Sequence, residues 1–192
     1  MHSLERAHRE LRFAHEAIHE LRNAQNLDVA FAAWTEILQH LERVWNKAQA
    51  GMRDRPKWQG WPERGRINDK RSSDPLLAYL CNARGAEEHG IKDIADKQPG
   101  GIGINPARGN VIRNLSIRQD KERLEIRSDD PINITFRPGR LVLKAISNRG
   151  REYPVPAIHL GTPLAGVDPI TLAETGAKYY ADALALIERE FG

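Results

Sequence analysis

Arg84 and His89 are the two residues whose types and spacing are best suited to chemistry on a phosphate ester. Histidine can take up or release a proton near neutral pH, and arginine offers a rigid fork of donors that fits phosphate oxygens. The pair is five positions apart, which turns about 140° around an ideal helix. The two side chains therefore converge only if the helix loosens at Gly85 or in its last turn. A simpler interpretation pairs Arg84 with Glu88 as a surface ion pair at i and i+4.

The helix that would carry this pair has sequence signals at both ends. Asp74 followed by Pro75 favours a helix start, because aspartate caps the first turn and proline lacks only an N–H that this turn does not use. Gly90 favours a stop, because glycine accepts the left-handed conformation that closes helices. Leu76 and Leu80 predict a buried stripe at helical spacing. Similar spacings predict four helices in all, at about residues 3–23, 27–50, 75–89 and 169–191.

Short β-prone segments replace the helical pattern between the third and fourth predicted helices. Several alternate apolar with polar residues, and turn signals such as Pro138 and Gly139 separate them. We therefore expect a mainly α fold with a β insertion (α+β), in which a four-helix bundle carries a small antiparallel sheet between helices 3 and 4. The chain, residues 1–192, would be a single domain with an inserted β subdomain over residues 100–160. The predicted strands are Asn110–Arg118, Glu122–Arg127, Ile132–Phe136 and Leu141–Ile146, with an edge segment over Arg151–Ile158.

The segment from Gly51 to Ser73 breaks the helical pattern and combines basic with aromatic residues. Residues 51–71 hold seven Lys or Arg against three acids. We predict a partly ordered loop that contacts RNA, because basic side chains neutralise phosphates and tryptophans can stack on unpaired bases. Alternatively, both tryptophans pack the loop on the bundle while the charges remain solvated. The predicted RNA-contacting residues are Arg64, Arg66, Lys70, Arg71, Trp58 and Trp61.

The R-x-x-x-x-H spacing, late on a helix of an all-helical bundle, resembles the signature of the HEPN superfamily of ribonucleases and RNA-binding helical domains. The resemblance covers roughly residues 3–90 and 165–191 and places Arg84 and His89 on the motif positions. It implies a metal-independent endoribonuclease that needs no cofactor. In such an enzyme His89 would act as acid and base, and Arg84 would hold the phosphate.

The chain departs from this motif directly after the arginine. The family commonly has a polar residue there, often Asn, whereas this chain has Gly85. We expect Asn82 to offer a similar amide as part of the catalytic site. The resemblance also implies a symmetric homodimer with a shared cleft, and a toxin or defence effector with an antitoxin protein as partner. The alternative is a non-catalytic HEPN-like module that binds RNA or a protein partner.

A second motif, His15-Glu16-Ala17-Ile18-His19, has the HExxH form of zinc metalloproteases. Only 14 residues precede it, which leaves no room for the sheet that borders such a site, and Glu20 follows where an uncharged residue is usual. Glu36 is only a nominal third ligand. We therefore interpret these histidines as the solvated flank of an amphipathic helix and expect no metal site.

The composition is that of an ordinary globular protein, with a net charge of +3 over 192 residues. Cys81 is the only cysteine, so no intramolecular disulfide can form. The first residues are too charged for a signal peptide, and no apolar run approaches the length needed to span a membrane. We therefore expect a cytoplasmic protein that does not bind membranes.

Overall fold

The computed structural model describes residues 4–88, 94–120 and 123–192, so His89 and Gly90 lie outside the described residues. The chain divides into two compact units: Met1–Lys97 with Leu141–Gly192, and Gln98–Arg140. Helices and short strands both occur, which confirms the predicted mixture of α and β structure. None of the helices in the described ranges is long and apolar enough to cross a lipid bilayer.

The first unit contains five helices within the described residues, one more than predicted. The additional helix lies in the segment predicted to be a loop, and the predicted four-helix bundle is therefore not confirmed. Ile67 is the only buried residue of this helix, so it lacks the apolar stripe that periodicity can detect. The helices are α1 Glu5–Arg22, α2 Leu27–Met52, α3 Pro62–Ser73, α4 Pro75–Glu88 and α5 Pro169–Phe191.

Helices α1 and α2 form a hairpin, and α5 packs against both. Asn26 begins α2 by accepting hydrogen bonds from the backbone N–H groups of Asp28 and Val29, at 3.0 and 2.9 Å. Trp34 and Trp45 of α2 are fully buried. The indole N–H of Trp45 donates to Oδ1 of Asn68 at 2.8 Å and thereby ties α2 to α3. The core thus extends from the hairpin to the unpredicted helix.

Helix α4 is the central element of the first unit, because it packs against α2, α3, α5 and strands from the segment that follows it. Leu76, Leu77 and Tyr79 are all fully buried although they point in different directions around the helix. A helix that is apolar on several faces needs neighbours on several sides. Asp74 caps this helix, and its Oδ1 accepts the N–H of Leu77 at 3.1 Å.

Three strand pairs belong mainly to the first unit: β1 (Ala95–Gln98) with β6 (Arg140–Leu143), β7 (Ile146–Asn148) with β8 (Arg151–Tyr153), and β9 (Ile158–His159) with β10 (Thr162–Pro163). In each of the last two pairs, a two-residue turn connects the two strands, and both turn residues have positive φ. Arg149 and Gly150 form one turn, and Leu160 and Gly161 form the other. Such turns match the twist of antiparallel strands.

The second unit contains two antiparallel pairs in place of one small sheet: β2 (Gly101–Pro106) with β5 (Ile132–Arg137), and β3 (Ser116–Gln119) with β4 (Leu124–Arg127). Of the strand predicted at 110–118, only the last residues form a strand, as the beginning of β3. The turn at Pro138 and Gly139 does not join a hairpin, because β5 pairs with β2 and β6 pairs with β1. β2 was not predicted, since glycines and a proline interrupt its pattern.

Candidate functional site

Arg84 lies on α4 and forms an ion pair with Glu42 of α2. Its Nη1 is 2.5 Å from Oε2 of Glu42, and the two side chains are 28% and 22% exposed. The contact joins two helices that pack against each other. The pairing of Arg84 with Glu88 on the same helix stays a prediction. His89 lies outside the described residues, so its convergence with Arg84 stays a prediction.

Asn82 lies one half-turn before Arg84 and is held by two hydrogen bonds. Its Nδ2 donates to the backbone oxygen of Ala78 at 2.7 Å, and its Oδ1 accepts from Nδ2 of Asn148 at 3.0 Å. The same Asn148 amide lies over Gly85, where an added Cβ would be only 2.9 Å from Asn148 Nδ2. Glycine fits this position because an amide from strand β7 fills the space in front of it. Asn82 is predicted from the sequence, whereas no local signal in the sequence identifies Asn148.

Trp58 and Trp61 pack within the helical unit. Trp58 is 1% exposed, and Trp61 is partly buried and stacks on it with ring centroids 5.5 Å apart. Both rings meet Phe191 of α5 edge-on, at 5.8 and 5.4 Å. A ring as buried as that of Trp58 cannot stack on a base without leaving the core. The predicted role of Trp58 in RNA contact is therefore replaced by the packing alternative.

The four predicted basic contacts of α3 have different surroundings. Arg71 is partly buried, and its Nε donates to the hydroxyl oxygen of Tyr180 at 3.0 Å. Arg66 forms an ion pair with Glu63, and Lys70 is exposed. The guanidinium of Arg64 lies over Trp58, 5.9 Å from the ring centroid. Arg64 also lines a pocket, which is described below.

Asp74 and His159 form a buried pair that sequence analysis did not connect. His159 Nδ1 is 2.9 Å from Asp74 Oδ1, and the N–H of Leu160 donates to Oδ2 at 2.7 Å. Burial alone would raise the pKa of Asp74, but hydrogen bonds from Leu160, His159 and Leu77 lower it below its ordinary value. The carboxylate is 2% exposed and His159 is 14% exposed. A carboxylate can hold an imidazole for proton transfer, but here it also caps α4 and anchors the β9–β10 turn.

Two adjacent tyrosines of α5, Tyr179 and Tyr180, connect this pair to Arg71. The ring of Tyr179 meets the His159 ring edge-on at 5.7 Å, and burial together with the nearby Asp74 carboxylate raises the pKa of Tyr179. Burial also raises the pKa of Tyr180, whose oxygen is 3.7 Å from Sγ of Cys81. These groups form a continuous polar cluster between α3, α4, α5 and β9. The contacts described here hold these four elements together, which is a structural role.

The HExxH residues His15, Glu16 and His19 lie on the exposed side of α1. His19 contacts Asn23, with 3.2 Å between the ring Nε2 and the amide nitrogen. Across residues 4–88, 94–120 and 123–192, no group of three or more His, Cys, Asp or Glu side chains is arranged to hold a metal ion. The structure thus places this motif on a solvated flank.

Comparison of the chain with known proteins finds no matching family model, no matching curated protein and no matching solved structure. The side chains described above and the motif in the sequence are therefore the basis for inferring a function.

Proposed function

We propose that the protein is a metal-independent endoribonuclease of HEPN type, in which Arg84 holds the scissile phosphate and His89 transfers protons. The observation that carries the proposal is the position of the Arg84 guanidinium, which the Glu42 carboxylate of a neighbouring helix orients. A cation fixed before the reaction stabilises the charge that develops on the phosphate. Because a guanidinium has five N–H donors, the contact with Glu42 is compatible with a further contact to phosphate.

The amide of Asn148 supports catalytic competence at the position where the motif departs from its usual form. Gly85 stands where the family commonly has Asn, and Asn148 places an amide directly in front of that glycine. Asn82 orients this amide through its own Oδ1. In this proposal β7 supplies the polar group that α4 lacks, and Asn82 is a positioning residue.

The proposed reaction needs no metal ion. The ribose 2′-oxygen attacks the phosphorus while a base takes its proton, and the bond from phosphorus to the 5′-oxygen breaks as an acid protonates that oxygen. The products are a 2′,3′-cyclic phosphate and a 5′-hydroxyl. A homodimer would supply two copies of His89, one for each proton transfer, in a shared cleft. In this fold α1, α2, α4 and α5 would be the HEPN-like framework and α3 an addition.

Cleavage of an end-labelled RNA pool in EDTA tests the proposal with the wild type, Arg84→Ala and His89→Ala. His15→Ala is the matched control, because it removes an exposed histidine of α1 that has no part in the proposed site. We expect cyclic phosphate ends from the wild type and the control, and loss of cleavage in both site variants. Equal cleavage by all four proteins, or none by the wild type on several RNAs, would overturn the proposal.

A non-catalytic module that binds RNA or a protein is the second candidate. The observation that favours it is the same ion pair, because in this module the contact between Arg84 and Glu42 would serve only to join α4 to α2. Binding of RNA by the wild type and His89→Ala alike, without cleavage by either, would support this candidate. As a toxin or defence effector the protein would be expected to have an antitoxin partner, which co-purification of the two expressed together would test.

A further inference from the structure

A polar pocket of about 260 Å³ lies between the end of α2 and the start of α3. Seven residues line it: Asn46, Gln49, Ala50, Arg53, Trp58, Gln59 and Arg64. Two of them are arginines, three are amides and none is acidic. This composition suits an anion that also carries hydrogen-bonding groups.

Within the described residues, neither Arg53 nor Arg64 forms an ion pair. Nε of Arg64 is buried and has no hydrogen-bond partner there, and its Nη1 reaches only the backbone oxygen of Gln59 at 3.5 Å. A guanidinium without a carboxylate partner keeps its positive charge and several N–H donors available to an anion in the pocket.

The amides add recognition that a simple anion does not require. Asn46, Gln49 and Gln59 each present both a donor and an acceptor, as the edge of a nucleobase does. Trp58 closes the pocket as part of the core, so its buried ring is a wall and not a stacking surface. A phosphate with its attached nucleoside matches the two arginines and the amides together.

The pocket lies in line with the Arg84 ion pair along one face of α2. Glu42, Asn46, Gln49 and Arg53 follow each other at spacings of four, three and four, and the backbone at Arg53 is still helical with φ −50° and ψ −43°. At 1.5 Å per residue, Gln49 lies about 10 Å and Arg53 about 16 Å from Glu42 along the helix axis. A single strand of a few nucleotides can span this distance.

We propose that this pocket binds a phosphate and its nucleoside of a single-stranded RNA whose scissile phosphate lies at Arg84. The inference rests on the proposed function, because it assigns the pocket to the same RNA strand. Arg53 and Arg64 hold the phosphate, and Asn46, Gln49 and Gln59 contact the base or sugar. The pocket is then a subsite that sets where the strand is cut.

The test is binding of a short, fluorescent, 2′-O-methylated RNA, which cannot be cleaved because its 2′-oxygen is blocked. Fluorescence anisotropy would compare the wild type with Arg53→Gln, Arg64→Gln and Gln49→Glu, the last adding a negative charge without removing an arginine. Arg12→Gln is the matched control, since Arg12 is an exposed arginine of α1 that lies outside the pocket and outside the predicted RNA-contacting set. Circular dichroism melts would establish that each variant is folded.

We expect each pocket variant to weaken binding about tenfold, and each arginine variant to reduce the slope of log K against log salt by about 0.7. The control should bind as the wild type does. Unchanged affinity in all three folded pocket variants would overturn the proposal. Displacement of the RNA by inorganic phosphate or a nucleoside monophosphate, as effectively as by unlabelled RNA, would also overturn it and assign the pocket to a small anion.

The same variants separate this inference from the proposed function. Loss of binding in the pocket variants of a protein that does not cleave RNA supports the pocket and refutes only the nuclease. Cleavage by the wild type with unchanged binding and cut sites in the pocket variants supports the nuclease and refutes only the pocket.

Discussion

His159 and Asp74 are 85 positions apart in the chain, yet Nδ1 of the histidine lies 2.9 Å from Oδ1 of the aspartate. The same carboxylate accepts backbone N–H groups from Leu77 and from Leu160, whose φ of 49° turns that group toward it. The side chain of Asp74 therefore caps the central helix α4 and also holds the turn between β9 and β10. These contacts keep the β9–β10 segment against α4, the helix that carries Arg84.

Because Asp74 contacts His159 and Leu160 in addition to capping α4, we expect Asp74→Ala to destabilise the protein more than removal of an ordinary helix cap does. Loss of the cap costs about 1 kcal/mol, and the two further bonds to a buried charge bring the expected total to about 2–4 kcal/mol. Asp168→Ala is the matched control, because Asp168 begins α5 before a proline but is exposed. Urea unfolding would measure both losses. Equal losses for the two variants would show that His159 and Leu160 add nothing.

The lowered pKa of Asp74 predicts a stability contribution that depends on pH. A carboxyl whose folded pKa lies below its unfolded value of about 3.9 stabilises the protein above that value. This contribution is lost as the pH falls through the folded pKa. We expect the stability difference between the wild type and Asp74→Asn to be smaller at pH 3 than at pH 5. Urea unfolding across this range would measure it, and a difference that stays the same at pH 3 would contradict the prediction.

Substitution of Trp58 distinguishes a role in core packing from a role in RNA contact. Because its ring is 1% exposed and lies between Trp61, Trp45 and Phe191, Trp58→Ala should lower the free energy of unfolding by about 3–5 kcal/mol. Arg66→Ala, which removes an exposed side chain of the same segment, should change it by less than about 0.5 kcal/mol. A Trp58→Ala protein that is as stable as the wild type but has lost RNA binding would restore the stacking interpretation.

Periodicity predicted the positions of α1, α2, α4 and α5 because each has apolar residues at regular helical spacing. It could not identify α3, where Ile67 alone is buried and the only local signal is a proline, Pro62, at the first helical position. The same limit applies to the site. Local spacing pointed to Glu88 as a partner of Arg84, but it could not identify Glu42, which lies 42 positions away and meets Arg84 because α2 and α4 pack together. Contacts such as this one depend on tertiary packing, which local spacing does not encode.

We expect the effects on stability of substitutions at Gly85 in α4 and at Asn148 in β7 to depend on each other. Alanine is normally favoured over glycine in a helix by about 1 kcal/mol, but a Cβ at position 85 would lie 2.9 Å from the Asn148 amide and displace it from Asn82. Gly85→Ala should therefore gain little or lose stability in the wild type, and gain about 0.5–1 kcal/mol in the Asn148→Ala background. Urea unfolding of both single variants and the double variant gives the coupling energy.

Gly65→Ala is the control for this cycle, because a Cβ at that position of α3 meets no atom within 4 Å. It should stabilise the protein by about 1 kcal/mol in both backgrounds. RNA cleavage by the same set adds a second measurement, since Asn148 supplies the proposed amide. Cleavage should fall in Asn148→Ala and in Gly85→Ala but not in Gly65→Ala. If Gly85→Ala and Gly65→Ala stabilise the wild type equally, the Asn148 amide does not occupy the space over Gly85, and the case for a substitute amide fails with it.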